Sequence, residues 1–188
     1  MPQTIVLLGY KMQRGKDTVG KVLTDEFGFT RYAFADEIKK IVADIYDLSW
    51  EQLYTEKKNK LDSRYGTTPR QILQEFGREQ RNRFKDIWCS KVNKEISKNK
   101  SKRIVITDLR HLNEYEYFFK LSKKENINLF TIRVSRPAFD LTDMVGKEDI
   151  SEIELDSFNE WDYTLLNDKD IVSIQEKTRI FASSVLMC

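Results

Sequence analysis

The chain has 188 residues, with 32 lysines and arginines against 30 aspartates and glutamates and a formal net charge of +2. That length fits one compact domain able to build its own core, so neither disulfides nor a structural metal is required. The balanced charge argues against a polybasic nucleic-acid coat, 12% aromatic residues against a disordered chain, and no apolar run approaches the ~18 residues of a membrane span.

An apolar, β-branched run at residues 4–8 predicts a strand buried on both faces. No basic stretch precedes it and no small-residue cleavage site follows, so a strand is expected there and not a secretory leader. Val19, Val22, Leu23 and Phe27 recur at helical spacing across 16–27, and Gly28 stops the pattern. A second strand is expected at 30–34 and a helix at 36–45. Residues 47–67 are polar and weakly periodic and give no assignment. Thr68-Pro69 opens a helix, with a hydroxyl at the N-cap and proline at the first helical position, and Ile72, Leu73 and Phe76 form its apolar face. The stripe Phe84, Ile87, Trp88, Val92 and Ile96 predicts the next helix, which runs into Lys98, Lys100, Lys102 and Arg103, cations suited to a helix C-terminus. Residues 103–108 read as a strand ending on aspartate, 113–123 as a helix, 128–134 and 162–166 as strands, and 170–186 as a closing helix. The alternation predicts an α/β fold, a parallel β-sheet flanked by helices on both faces.

Two cysteines, Cys89 and Cys188, lie far apart and are expected as free thiols of a cytoplasmic protein. A single histidine, His111, argues against a zinc centre or a serine-type triad.

The chemistry concentrates in Leu8-Gly9-Tyr10-Lys11-Met12-Gln13-Arg14-Gly15-Lys16-Asp17-Thr18, a glycine-containing turn between a buried strand and a helix. That is the context of a P-loop, whose backbone N–H groups and positive helix end cradle polyphosphate. Gln13, Arg14, Gly15, Lys16, Asp17 and Thr18 are the candidate ATP-binding residues, with Lys16 reaching the β- and γ-phosphates. Two departures from the standard pattern stand out. Tyr10 occupies the first glycine position, and Asp17 replaces the magnesium-ligating hydroxyl. Asp108, at the end of an apolar strand, is the second candidate, placed where a carboxylate can hold Mg2+ directly or through water. Arg70, Arg110 and Arg136 sit at element ends, and guanidinium forks neutralise phosphate bidentately. Trp88 reads either as core or as a ring against a base.

Gly15-Lys16-Asp17-Thr18, the helix Thr68-Pro69-Arg70-Gln71-Ile72-Leu73-Gln74-Glu75-Phe76-Gly77, Trp88, Thr107-Asp108-Leu109-Arg110, Arg136-Pro137 and Ser151-Glu152 occur in this order in phage-type deoxynucleoside monophosphate kinases. The chain resembles that family over roughly residues 4–168. The resemblance implies one P-loop kinase domain over 1–188, with a helical acceptor-binding region at 46–100 and a lid at 137–157. It implies transfer of the γ-phosphate of ATP to a deoxynucleoside monophosphate with Mg2+, catalysed by Lys16, Asp17, Arg110 and Arg136. Asp36, Lys39, Arg70, Trp88, Asp108 and Arg110 would bind the acceptor, and Asp17 and Asp108 the metal. A homodimer and, for a viral source, the host cytoplasm are further implications, with no nucleic-acid or membrane partner. Asp17 is normal for that family. Animal phosphomevalonate kinases are also similar, in the GKD loop, the Asp-x-Arg strand end and the segment from Ser151 to Phe158. A non-catalytic nucleotide-binding regulatory module is the third reading.

Overall fold

The computed structural model describes residues 2–99, 101–137 and 149–186. The opening apolar run forms β1 (Gln3–Gly9), the middle strand of a five-stranded sheet. Its neighbours are β3 (Arg103–Leu109) and β4 (Ile127–Ser135), with β2 (Thr30–Tyr32) beyond β3 and β5 (Tyr163–Leu166) beyond β4. Every pairing is parallel. Such strands must be covered on both faces, which is why β1 and β3 are apolar continuously and do not alternate.

Val6, Leu8, Val105, Ile132, Val134 and Leu165 make one face of the sheet. Helix α1 (Lys16–Phe27) covers it with Val19 and Leu23, and α8 (Ile171–Phe181) with Ile174 and Phe181. Ile5, Leu7, Ile104 and Ile106 alternate to the other side and are equally buried. Helix α6 (Leu112–Lys124) packs on β4 and buries Phe118, while Phe119 stays 41% exposed. Gly28 ends α1 at φ 69°, as the sequence predicts. The closing helix widens into a π turn over Ala182–Leu186, and the strand expected at 30–34 is shorter, because a helix already begins at Phe34.

Phe34–Lys94 forms a second compact unit, beginning earlier than the 46–100 boundary expected from sequence. It contains α2 (Phe34–Tyr46), α3 (Trp50–Tyr54), α4 (Pro69–Arg83) and most of α5 (Ile87–Lys98). Its core is Val42, Leu48, Leu53 and Ile72. Phe84, read from sequence as the first apolar position of α5, is instead the 57% exposed C-cap of α4. The unassigned stretch 47–67 is organised by polar contacts. Ser49 and Gln52 form a capping box at α3, and Asp62 pairs with Thr67 across a loop. Arg64 grips Asp62 with a fork, Nε to Oδ1 at 3.0 Å and Nη2 to Oδ2 at 2.7 Å, and Gln52 Nε2 donates to Oδ2 at 2.8 Å.

Hydrogen bonds from Arg64 hold the Asp62 carboxyl far below the usual carboxylate range. A depressed folded-state pKa adds stability above the unfolded value of about 3.9 and loses it as pH falls further. Asp62→Asn is therefore expected to unfold at lower urea than the wild type at neutral pH. The two midpoints should converge as the pH is taken well below that of an ordinary carboxylate, which a urea series at several pH values measures.

Candidate active site

The loop between β1 and α1 stands where the sheet order reverses direction, since β3 lies on one side of β1 and β4 on the other. In open parallel sheets that is the ligand-binding edge. Gly15 is the N-cap of α1 with φ 103°, a left-handed conformation that glycine adopts without strain. A Cβ there would also lie 2.7 Å from Asn167 Nδ2. Glycine has no side chain to cap the helix, so the first-turn N–H groups have no intrahelical acceptor and form an anion-binding end.

Tyr10, at the position usually held by glycine, has φ 91°. Its ring is held by the Arg133 guanidinium, 4.0 Å from the centroid, which offsets the backbone cost. Close approach accounts for Gly9 instead, because a Cβ there would come within 2.5 Å of the Trp161 ring.

Lys16 is 6% exposed, and its ammonium donates to the carbonyls of Tyr10, at 2.9 Å, and Lys11. Burial pushes its pKa well down, the Arg110 guanidinium adds to this, and Asp17 and Asp108 oppose it. Arg110 is lowered by burial as well, opposed by Asp108, Glu114, Asp17 and Asp149. The structure thus gathers Lys16, Asp17, Asp108 and Arg110 into one charge cluster, on residues that the sequence singles out. Arg14 joins through its Nη1, which donates to the carbonyl of Arg136. Gln13 is exposed, and Thr18 is half-buried on α1.

The helical unit carries the other candidates. Arg70 lies in the first turn of α4, which Thr68 and Gln71 cap reciprocally. Lys39 Nζ is 3.7 Å from Asp36 Oδ1 and 4.0 Å from the Tyr54 ring centre. Trp88 is a core residue: it is 2% exposed, and its indole N–H donates to the Gly77 carbonyl at 3.0 Å. That placement leaves no ring face for a base and corrects its reading as an acceptor-binding residue. Cys89 is a buried free thiol.

Sequence reasoning assigned no role to two residues that contact the loop. Asn167, just after β5, donates from Nδ2 to the Arg14 carbonyl at 3.1 Å and props the loop; a polar residue at a strand's carboxyl end was the available signal. Glu152, on α7 (Ile150–Ile153), accepts from the Met12 N–H at 2.7 Å and pairs with Arg110 Nη1. Residues 138–148 of the expected lid lie outside the described residues, and its remainder includes α7.

A parallel sheet of order β2-β3-β1-β4-β5 with a phosphate loop after the middle strand is the fold of the P-loop kinases. TT1252 of Thermus thermophilus matches with a TM-score of 0.54 at 13% identity, covering 98% of each chain. Dephospho-CoA kinase of Campylobacter jejuni matches at 0.53 and 17%, again over 98% of each. APS kinase CysC of Mycobacterium tuberculosis, in complex with AMPPNP and APS, matches at 0.51 and 15%, over 98% of this chain and 100% of that one. No family model matches the chain. A protein of Acanthamoeba polyphaga mimivirus, provisionally named a deoxynucleotide monophosphate kinase, is 30% identical over 192 residues, 93% of this chain and 90% of the relative. The chain belongs to the family of that viral kinase.

If Arg133 holds Tyr10, Tyr10→Ala loses the contact and keeps the strained backbone. A desolvated cation–π pair of about 1–2 kcal/mol corresponds to a Tm lower by roughly 2–8 °C. Tyr10→Gly loses the same contact but relieves the strain, so its Tm is expected between those of the wild type and Tyr10→Ala in a melting series.

Proposed function

We propose that the chain transfers the γ-phosphate of ATP to a deoxynucleoside 5′-monophosphate, yielding the diphosphate and ADP. The observation that carries this reading is the charge cluster at the loop, with buried Lys16 and half-buried Arg110 beside a helix N-terminus and Asp17 and Asp108 among them. The lowered Lys16 pKa expresses a positive charge that the fold solvates poorly, and a polyphosphate is the ligand class that supplies what is missing. Membership of the viral kinase's family supports a deoxynucleotide monophosphate as acceptor.

Phosphoryl transfer asks for in-line positioning and neutralisation more than for a strong base, because the acceptor phosphate is already an anion. The N–H groups from Gly15 to Thr18 would hold donor phosphate oxygens. The Lys16 ammonium would exchange the Tyr10 and Lys11 carbonyls for the β- and γ-phosphates, and Asp17 would lie beside the acceptor phosphate. Arg110 would place its fork on the transferring group, with Arg136 as a further cation. Arg70, Asp36 and Lys39 are assigned to the acceptor nucleotide.

Mg2+ is the cation that the donor set suits. Among the described residues no three His, Cys, Asp or Glu side chains form a cage. Mg2+ at phosphoryl-transfer sites takes one or two carboxylates beside phosphate oxygens and water, and Asp17 and Asp108 would provide them. When bound, it neutralises charge on the phosphate oxygens.

The test is acceptor-stimulated ADP release from Mg-ATP with dTMP, dGMP, dCMP, dAMP, the ribonucleotides and phosphomevalonate. Turnover of one or more deoxynucleotides is expected. Turnover of phosphomevalonate alone would move the acceptor assignment, and bound ATP without any stimulated release would sink the reading. Because the fold disfavours the charge of Lys16, Lys16→Met should melt no lower than the wild type. Its kcat should nevertheless fall by about 10³-fold, since the positive charge on the transferring phosphate is lost.

A further inference from the structure

One short segment, residues 149–156, holds the loop after β1 and the turn after β3 through three carboxylates. Glu152 accepts from the Met12 N–H at 2.7 Å and pairs with the Arg110 guanidinium. Glu154 takes the other side of the same turn, with Oε2 2.6 Å from His111 Nδ1 and Oε1 accepting from the Leu112 N–H at 2.9 Å. Asp156 pairs with Lys11 at 2.9 Å. The Glu152 carboxylate is the buried one, its side chain 2% exposed, against 25% for Glu154 and 45% for Asp156.

Its two oxygens have different tasks. Oε2 fixes a backbone N–H of the loop that precedes the α1 N-terminus, so it does not take a first-turn donor. Oε1 orients Arg110, which leaves β3 at the level where Gly9 leaves β1, the two strands pairing at Gly9↔Leu109. The Arg110 main chain is held separately by Glu114, whose Oε2 accepts from its N–H at 2.9 Å. With the backbone fixed, Glu152 is the carboxylate hydrogen-bonded to the guanidinium, and Asp108, Asp17 and Asp149 also attract it.

We propose that Glu152 is a positioning residue for phosphoryl transfer, locking the phosphate loop and the Arg110 fork into one frame. The role rests on the proposed kinase reaction and deepens it: Glu152 touches no substrate and acts through Arg110.

The experiment is a double-mutant cycle of Glu152→Gln with Arg110→Ala in the full chain, using the acceptor assay and calorimetric ADP binding in parallel. A misaligned fork costs turnover and spares binding. Glu152→Gln is therefore expected to lower kcat about 10²-fold, with the KM for Mg-ATP and ADP affinity each within about 3-fold. In the Arg110→Ala background the same change should do nothing further, because the group it aims is gone. Glu152→Asp keeps the charge but cannot span both partners, so it should fall between the two and serve where the glutamine variant folds poorly. Multiplying effects in the double mutant, or wild-type kcat in Glu152→Gln, would overturn the role. Tighter ADP binding with faster acceptor-free hydrolysis would also overturn it, showing Glu152 to be a competing anion. An inactive wild type would overturn the kinase reading and this role together; an active wild type with an insensitive Glu152 would overturn this role alone.

Discussion

A buried lysine beside a half-buried arginine constrains the site half of this protein. Lys16 begins α1 and Arg110 follows β3, and the parallel pairing of β1 with β3 brings both to one edge of the sheet. Burying a cation without a partner costs several kcal/mol, and two together cost more. The surrounding elements supply the compensation: Asp17 from α1, Asp108 from β3, Glu114 from α6, and Asp149 and Glu152 at α7. Helix α6 shows how closely fold and site are joined. The Glu114 carboxylate accepts the N–H groups of Arg110 and His111, so one side chain both caps the helix and fixes the chain that carries the arginine.

The compensation is incomplete at Lys16, whose pKa stays well down despite two neighbouring carboxylates. Its ammonium leans on two backbone carbonyls of its own loop, neutral acceptors weaker than an anion. The fold therefore holds a charge deficit at the place where a phosphate would complete the set. Sites of this kind give up stability for ligand recognition.

What the sequence displayed depended on the range of the interaction. β1, α1 and the Gly28 stop were legible because periodicity and glycine act over a few residues. Lys16, Asp17, Asp108 and Arg110 were legible as residue types at strand and helix ends, which the parallel topology then brings together. Residues 47–67 were opaque because capping boxes and the Arg64–Asp62 fork, not an apolar stripe, organise them. Trp88 looked ambiguous because an indole on an apolar face serves a core and a ligand equally well, and only the Gly77 carbonyl decides between them. Glu152 was known only as part of a motif. Its partners lie 42 and 140 positions away, a separation at which no local pattern exists.

Tyr10 looked like damage to the loop, yet its substitution is compensated from β4 by Arg133. The loop consequently divides into two stretches with different dependence on the protein. From Gly9 to Met12 it is held by the protein: the Trp161 ring against Gly9, Arg133 on Tyr10, Asp156 on Lys11, and Glu152 on the Met12 N–H. From Gly15 to Thr18 its N–H groups follow helix geometry and point out of the α1 N-terminus. A loop fixed at its first half and open at its second can present donors to an anion without rearranging, because the residues that set its shape are not those that would bind. Preorganisation of this kind is what a phosphoryl-transfer site needs from its scaffold, and here it is supplied by side chains on β4, α7 and the segments flanking β5.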